Sequence, residues 1–175
     1  MTNNDILRRL RFAFDLSNKK SVELFSLDPS SSAKISQSAF MHRLSKDDDA
    51  DFIACSDAEL CAFLDGLIVS KRGLRSPAPE QATKPEDFRI SKNDILKKLR
   101  IAMEYREEQM LATLEQGGSA LSSSELGALF RKPGHKHYRA CGGQVLRNFI
   151  KGLTLQLRGE APSETLQEVP QESSD

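Results

Sequence analysis

The chain contains one sequence pattern twice. Residues 4–11 return as residues 93–100 with two arginines replaced by lysines, and residues 35–73 align without a gap on residues 121–159. Equivalent positions therefore differ by 89 in the first segment and by 86 in the second. Because self-similarity of this kind marks a duplicated structural unit, the sequence predicts two similar modules, and any difference between them is informative about function.

The duplication sets the domain organisation that we predict. Residues 3–73 form the first module and residues 92–159 the second, each near the lower size for an independent core, so we expect the two to pack together. Residues 74–91 contain three prolines and predict an extended linker. Residues 160–175 are acidic and poor in apolar side chains, which predicts a disordered tail.

Each module is predicted to contain four helices, giving an all-α protein of two tandem four-helix modules. Apolar residues recur at helical spacing in the first and last helix of each module. Ser56 and Ser122 each precede a glutamate by three positions, which is the capping-box signal of a helix start. Gly73 and the pair at 117–118 are placed to end helices.

The order of the helices, with two short ones in the centre, suggests a helix-turn-helix-like domain by analogy. Six residues, 117–122, separate the central helices of the second module. A helix-turn-helix usually has about three or four residues there, so the likeness is loose.

Composition and charge limit the class of protein. The polar start of the chain and the absence of a long apolar run lead us to expect a cytoplasmic protein outside the membrane. The odd number of cysteines, three, fits reduced thiols. Charge is uneven, since residues 92–159 hold 12 basic and 6 acidic side chains and residues 160–175 hold 5 acidic and no basic ones. Such asymmetry points to charged partners.

The most unusual segment is a basic loop around a Pro-Gly turn in the second module. We name it the basic loop, and its candidate binding residues are Arg131, Lys132, Gly134, His135, Lys136, His137, Tyr138 and Arg139. The equivalent segment of the first module is an acidic loop, whose candidate residues are Asp47, Asp48, Asp49 and Asp51. The duplicated scaffold thus presents opposite charge at matching places.

Three interpretations of these loops stay open. In the first, the basic loop binds nucleic acid or another polyanion, with the Arg and Lys side chains on phosphates, Tyr138 or a histidine stacking on a base, and Gly134 allowing close backbone approach. In the second, loops of opposite sign pair between chains, as in a homo-oligomer, or with a protein partner. In the third, both loops are simply solvated.

The sequence favours a non-enzymatic protein without a cofactor. No glycine-rich phosphate loop, catalytic triad or carboxylate pair stands out in it, and an enzyme would need a pocket lined by His135, His137 and a carboxylate. His135, His137 and Cys141 lack the fourth ligand and the Cys-x-x-Cys pair typical of structural zinc, so we expect no metal. Cys55 and Cys141 share one repeat position and are predicted to pack rather than react.

Gly66 and Gly152 share another repeat position, inside the last helix of each module. A glycine there costs about 1 kcal/mol relative to alanine. Close approach of a second helix is the compensation that we predict, and we place the contact between modules, or between chains, near these residues.

Four strings of residues resemble the YehS-like family of bacterial proteins of unknown function. They are F-R-K-P-G-H-K-H-Y-R-A-C at 130–141, L-R-N-F-I-K-G-L at 146–153, and the twin openings at 4–11 and 93–100. The resemblance covers both modules and implies a tandem duplication and a bacterial cytoplasmic protein. Since the family has no assigned activity, the resemblance implies no catalytic or binding residue.

Overall fold

The computed structural model describes residues 1–29, 34–74 and 87–159, and these ranges contain eight α-helices and no strand. The all-α prediction with four helices in each module is therefore confirmed. Most of the predicted linker, at 75–86, and the predicted tail, at 160–175, lie outside the described residues. The helices are α1 (Asn3–Ala13), α2 (Asn18–Leu27), α3 (Gln37–Leu44), α4 (Asp57–Arg72), α5 (Lys92–Met103), α6 (Glu107–Gln116), α7 (Ser123–Leu129) and α8 (Gly143–Arg158).

The helices begin and end at the predicted signals. At the start of α4 the Glu59 N–H donates to the Ser56 hydroxyl at 3.2 Å, and the Ser56 N–H donates to the Glu59 carboxylate at 2.9 Å. Ser122 and Glu125 form the same capping box at α7. These contacts satisfy backbone donors that a helix start leaves free. Gly73 ends α4 with a φ of 83°, a conformation that suits glycine.

The connection between α6 and α7 has the six residues expected from the sequence, 117–122. It is longer than the turn of a helix-turn-helix. The likeness to that motif remains a prediction. Among the described residues, no helix combines the length and apolar character that crossing a membrane requires.

The two modules share one continuous apolar core, to which all eight helices contribute. Within a module α2 packs on α4, and α6 packs on α8. The first helix of each module, however, packs mainly on the last helix of the other: α1 lies against α8, and α5 lies against α4. The modules therefore pack together as expected. We call this arrangement, in which each module packs its first helix on the last helix of the other, the exchange of first helices.

Two equivalent ion pairs mark this exchange at the helix ends. Arg158 at the end of α8 donates to Asp15 after α1 at 2.7 Å, and Arg72 at the end of α4 lies 3.1 Å from Glu104 after α5. Asp15 and Glu104 are equivalent under the repeat, and both are left-handed, with φ of 50° and 55°. In the described residues they are the only non-glycine residues with positive φ. The exchange is thus closely symmetric.

Gly66 and Gly152 permit close helix approach, but not between the modules. A methyl group on Gly66 would lie 1.7 Å from the Leu24 carbonyl oxygen, and one on Gly152 would lie 1.8 Å from that of Thr113. The predicted close approach is confirmed, and a contact between chains stays a prediction, but the predicted place between the modules is wrong. The reason is that each glycine faces the second helix of its own module, whereas the modules meet along α1–α8 and α4–α5.

Candidate anion-binding loop and its acidic counterpart

The acidic and basic loops have the same backbone hydrogen bonds. In the acidic loop the N–H of Asp49 donates to the carbonyl of Lys46 at 3.0 Å, and the N–H of Phe52 donates to the carbonyl of Asp49 at 3.1 Å. The equivalent bonds of the basic loop measure 3.1 and 2.8 Å and join Lys132, His135 and Tyr138. One scaffold therefore presents two different sets of side chains.

An asparagine near the start of α1 fixes the acidic loop. The Asn4 side-chain amide donates to the carbonyls of Arg43 and Ile53, both at 2.9 Å. Its oxygen accepts the Cys55 N–H, also at 2.9 Å. Asn4 is only 3% exposed, so these three bonds satisfy backbone groups that water cannot easily reach.

The equivalent residue on α5, Asn93, fixes the basic loop in the same way. Its amide donates to the carbonyls of Leu129 at 2.7 Å and Arg139 at 2.8 Å, and its oxygen accepts the Cys141 N–H at 2.8 Å. We name these two residues the clamp asparagines. The sequence analysis did not predict that these asparagines hold the loops. The signal that could have indicated it is that both repeated segments, 4–11 and 93–100, begin with asparagine.

The structure places most candidate residues of the basic loop at the surface. The exposed ones are Arg131, Lys132, Gly134, His135, Lys136, His137 and Arg139. Tyr138 is half-buried, and its hydroxyl donates to the Asn93 oxygen at 3.3 Å. Arg139 pairs with Glu125 at 3.1 Å. Hydrogen bonds from the backbone and hydroxyl of Ser122, and then the bond from Arg139, lower the pKa of the Glu125 carboxyl.

Three cations of the basic loop are exposed at the surface. Among the described residues no carboxylate forms an ion pair with Arg131, Lys132 or Lys136. An Arg131 nitrogen lies 3.4 Å from His135 Nε2, and the two imidazole rings, of His135 and His137, have centroids 5.8 Å apart. Positive charge and aromatic surface are thus presented together.

The acidic loop is partly neutralised by its own module. Asp47 lies 3.3 Å from Arg8 of α1, and Asp49 accepts the Lys46 N–H at 3.1 Å. Asp48 and Asp51 are exposed, and within the described ranges neither forms an ion pair. The sign of the surface charge is therefore reversed between the two loops, as the alignment predicts.

The cysteines beside the loops are packed, which confirms that prediction. Cys55 and Cys141 are 5% and 7% exposed. Burial, and then the nearby Glu59 carboxylate, raises the pKa of Cys55 to about 12, and burial raises the pKa of Cys141 as well. Such thiols stay protonated and unreactive near neutral pH. In the part of the chain that the structure describes, no three His, Cys, Asp or Glu side chains gather as metal ligands would.

A cleft of about 340 Å³ lies where α1, α4 and α8 end. Its charged side chains already have partners, since Arg158 bonds to Asp15 and the Lys71 ammonium lies 5.3 Å from the centre of the Phe14 ring. The cleft therefore offers less unpaired charge than the basic loop does.

Comparison with known proteins gives a family. The family described as "Protein of unknown function (DUF1456)" matches residues 3–73 and 92–159. The chain is 40% identical over 153 residues to "Uncharacterized protein YehS" of Escherichia coli (strain K12), which covers 87% of this chain and 94% of that protein. No solved structure matches. Because the two segments span most of the chain, the protein belongs to the DUF1456 family, and the resemblance to YehS-like proteins is confirmed.

Proposed function

We propose that this is a non-enzymatic binding protein that uses the basic loop to hold nucleic acid or another polyanion. The observation that supports it best is a set of three exposed cations on a clamped backbone, none of which pairs with a carboxylate of the described residues. Such cations neutralise phosphates and release condensed counterions on binding. Because the clamp fixes the loop in advance, less conformational entropy is lost when it binds.

The residues of the loop have separate roles in this proposal. Arg131, Lys132 and Lys136 contact phosphates directly. Arg139 also contacts a phosphate after it leaves its ion pair with Glu125. A surface ion pair of this kind contributes only about 0–1 kcal/mol, so it is easily given up. His135 and His137, both exposed, are better placed to stack on a base than Tyr138, whose hydroxyl is held by the clamp.

Titration with random DNA and RNA at two salt concentrations tests the proposal. Binding should weaken steeply as salt rises, and Arg131→Ala/Lys132→Ala should weaken it further and lower the slope of log K against log salt by about 2. Fluorescence anisotropy of the labelled nucleic acid measures both quantities.

A matched control is Lys46→Ala, which removes a cation at the position of the acidic loop equivalent to Lys132. It should leave the affinity and the slope unchanged. No binding at low salt, or the same loss with Lys46→Ala as with the basic-loop variant, would contradict the proposal.

A second candidate is pairing between chains, with the acidic loop of one copy on the basic loop of another. The matching backbones and opposite charges of the loops favour it. Electrostatic pairing of this kind weakens with salt. Sedimentation at low and high ionic strength tests this candidate, because a monomer in both conditions would exclude pairing between copies of the chain.

A further inference from the structure

The two joints between the modules are built alike but carry different charge. At the α4–α5 joint the Lys98 ammonium contacts the Asp65 carboxylate, and the Cys61 thiol lies beside them. Both charged side chains are largely shielded, at 23% and 18% exposure. A cation and an anion therefore neutralise one another at this joint.

The α1–α8 joint has a cation at each of the equivalent positions. The repeat places Arg9 where Lys98 stands, Lys151 where Asp65 stands and Arg147 where Cys61 stands. One balanced pair and a thiol are thus replaced by three positive charges. We name Arg9, Arg147 and Lys151 the joint cluster.

Arg9 lies close enough to Arg147 for their positive charges to interact, whereas Arg147 and Lys151 are exposed at the surface. Arg9 is half-buried, and burial together with the positive charge of Arg147 holds the pKa of Arg9 below its usual range. Lys151 follows Arg147 by four residues on α8, so both lie on one helix face.

The neighbours of Arg9 do not neutralise it. Arg8 adds further repulsion, and Asp5 acts in the opposite direction. The Asp5 carboxylate, however, already accepts bonds from Arg8 at 2.8 Å and from the Thr2 N–H at 2.9 Å. In the described parts of the chain no carboxylate forms an ion pair with any member of the joint cluster.

We propose that the joint cluster is a second anion site, which takes a phosphate dianion between α1 and α8. Like charges brought together by folding repel one another, and a bound dianion removes that cost. Two guanidinium groups suit the site because each can donate two parallel hydrogen bonds to phosphate oxygens. This site is separate from the basic loop and does not depend on the function proposed for it.

Thermal unfolding of the full chain in inorganic phosphate tests the site against chloride of equal ionic strength. A tenfold excess of phosphate over Kd should raise the Tm of the natural protein by roughly 3–6 °C more than chloride does. Lys151→Asp places a carboxylate opposite Arg9, at the position equivalent to Asp65 in the Lys98–Asp65 pair of the α4–α5 joint. It should raise the Tm without phosphate by roughly 2–4 °C and abolish the specific rise.

Two further variants make the result specific. Lys19→Asp makes the same change of charge at an exposed position of α2 and should keep the phosphate-specific rise. Arg131→Ala/Lys132→Ala should also keep it, which separates this site from the basic loop. The inference would be overturned if phosphate raised the Tm of Lys151→Asp as much as that of the natural protein. It would also be overturned if only Arg131→Ala/Lys132→Ala lost the phosphate-specific rise in Tm.

Discussion

Replacing Gly66 by alanine should destabilise the protein by about 3 kcal/mol or more. The new methyl carbon would lie 1.7 Å from the Leu24 carbonyl oxygen, and Leu24 and Gly66 are both buried. Because the obstacle is backbone, no rotamer change relieves the overlap, and α2 must move away from α4. Gly152→Ala should act similarly, since its methyl group would lie 1.8 Å from the Thr113 carbonyl oxygen.

Denaturant unfolding measures the loss, and a Tm lowered by roughly 6–12 °C should accompany it. Gly127→Ala is the matched control, because Gly127 lies inside α7 and has nothing within 4 Å of the added carbon. That variant should gain up to about 1 kcal/mol from helix propensity. If Gly66→Ala were as stable as Gly127→Ala, the close contact of α2 with α4 would be wrong.

Asn4→Ala should cost about 3 kcal/mol. The truncation removes three hydrogen bonds to backbone groups and leaves two carbonyls and one N–H on either side of the acidic loop without these partners. Unsatisfied groups at a buried site are costly because water cannot replace the lost bonds fully. The acidic loop should loosen while the helices stay folded.

Hydrogen exchange of single amides tests the clamp within one molecule. In Asn4→Ala the Cys55 amide, which donates to the Asn4 oxygen, should exchange much faster, and the Cys141 amide should be unchanged. Asn93→Ala should give the reverse pattern. Equal acceleration of both amides in either variant would mean that the clamps do not act locally.

Helix positions were predictable from the sequence because their causes are local. Ser56 with Glu59, and Gly73, set the bounds of α4 through contacts within a few residues. The partner of Gly66 was not predictable, since its closeness to Leu24 depends on how distant helices pair. The packing of α1 on α8 and of α5 on α4 also depends on long-range contacts. The spacing of apolar residues along the chain does not predict such contacts.

The candidate site was predictable to a similar degree. Alignment of the copies predicts the reversal of charge between loops, and charged side chains such as Lys132 and Lys136 are exposed as charge alone suggests. The clamp asparagines were missed because a single polar residue at a helix start is usually solvated. The sequence shows the three charges of the joint cluster, but it does not show that they lie together, which follows only from the packing of α1 on α8.

The packing of α1 on α8 and of α5 on α4 resembles that of a dimer whose two similar subunits each pack their first helix on the partner, here joined in one chain. In a true pair of identical subunits every substitution appears twice, so no surface can differ in sign from its symmetry mate. Fusion into one polypeptide removes that constraint. Each half can then differ from the other, and one chain holds an acidic and a basic version of the same loop.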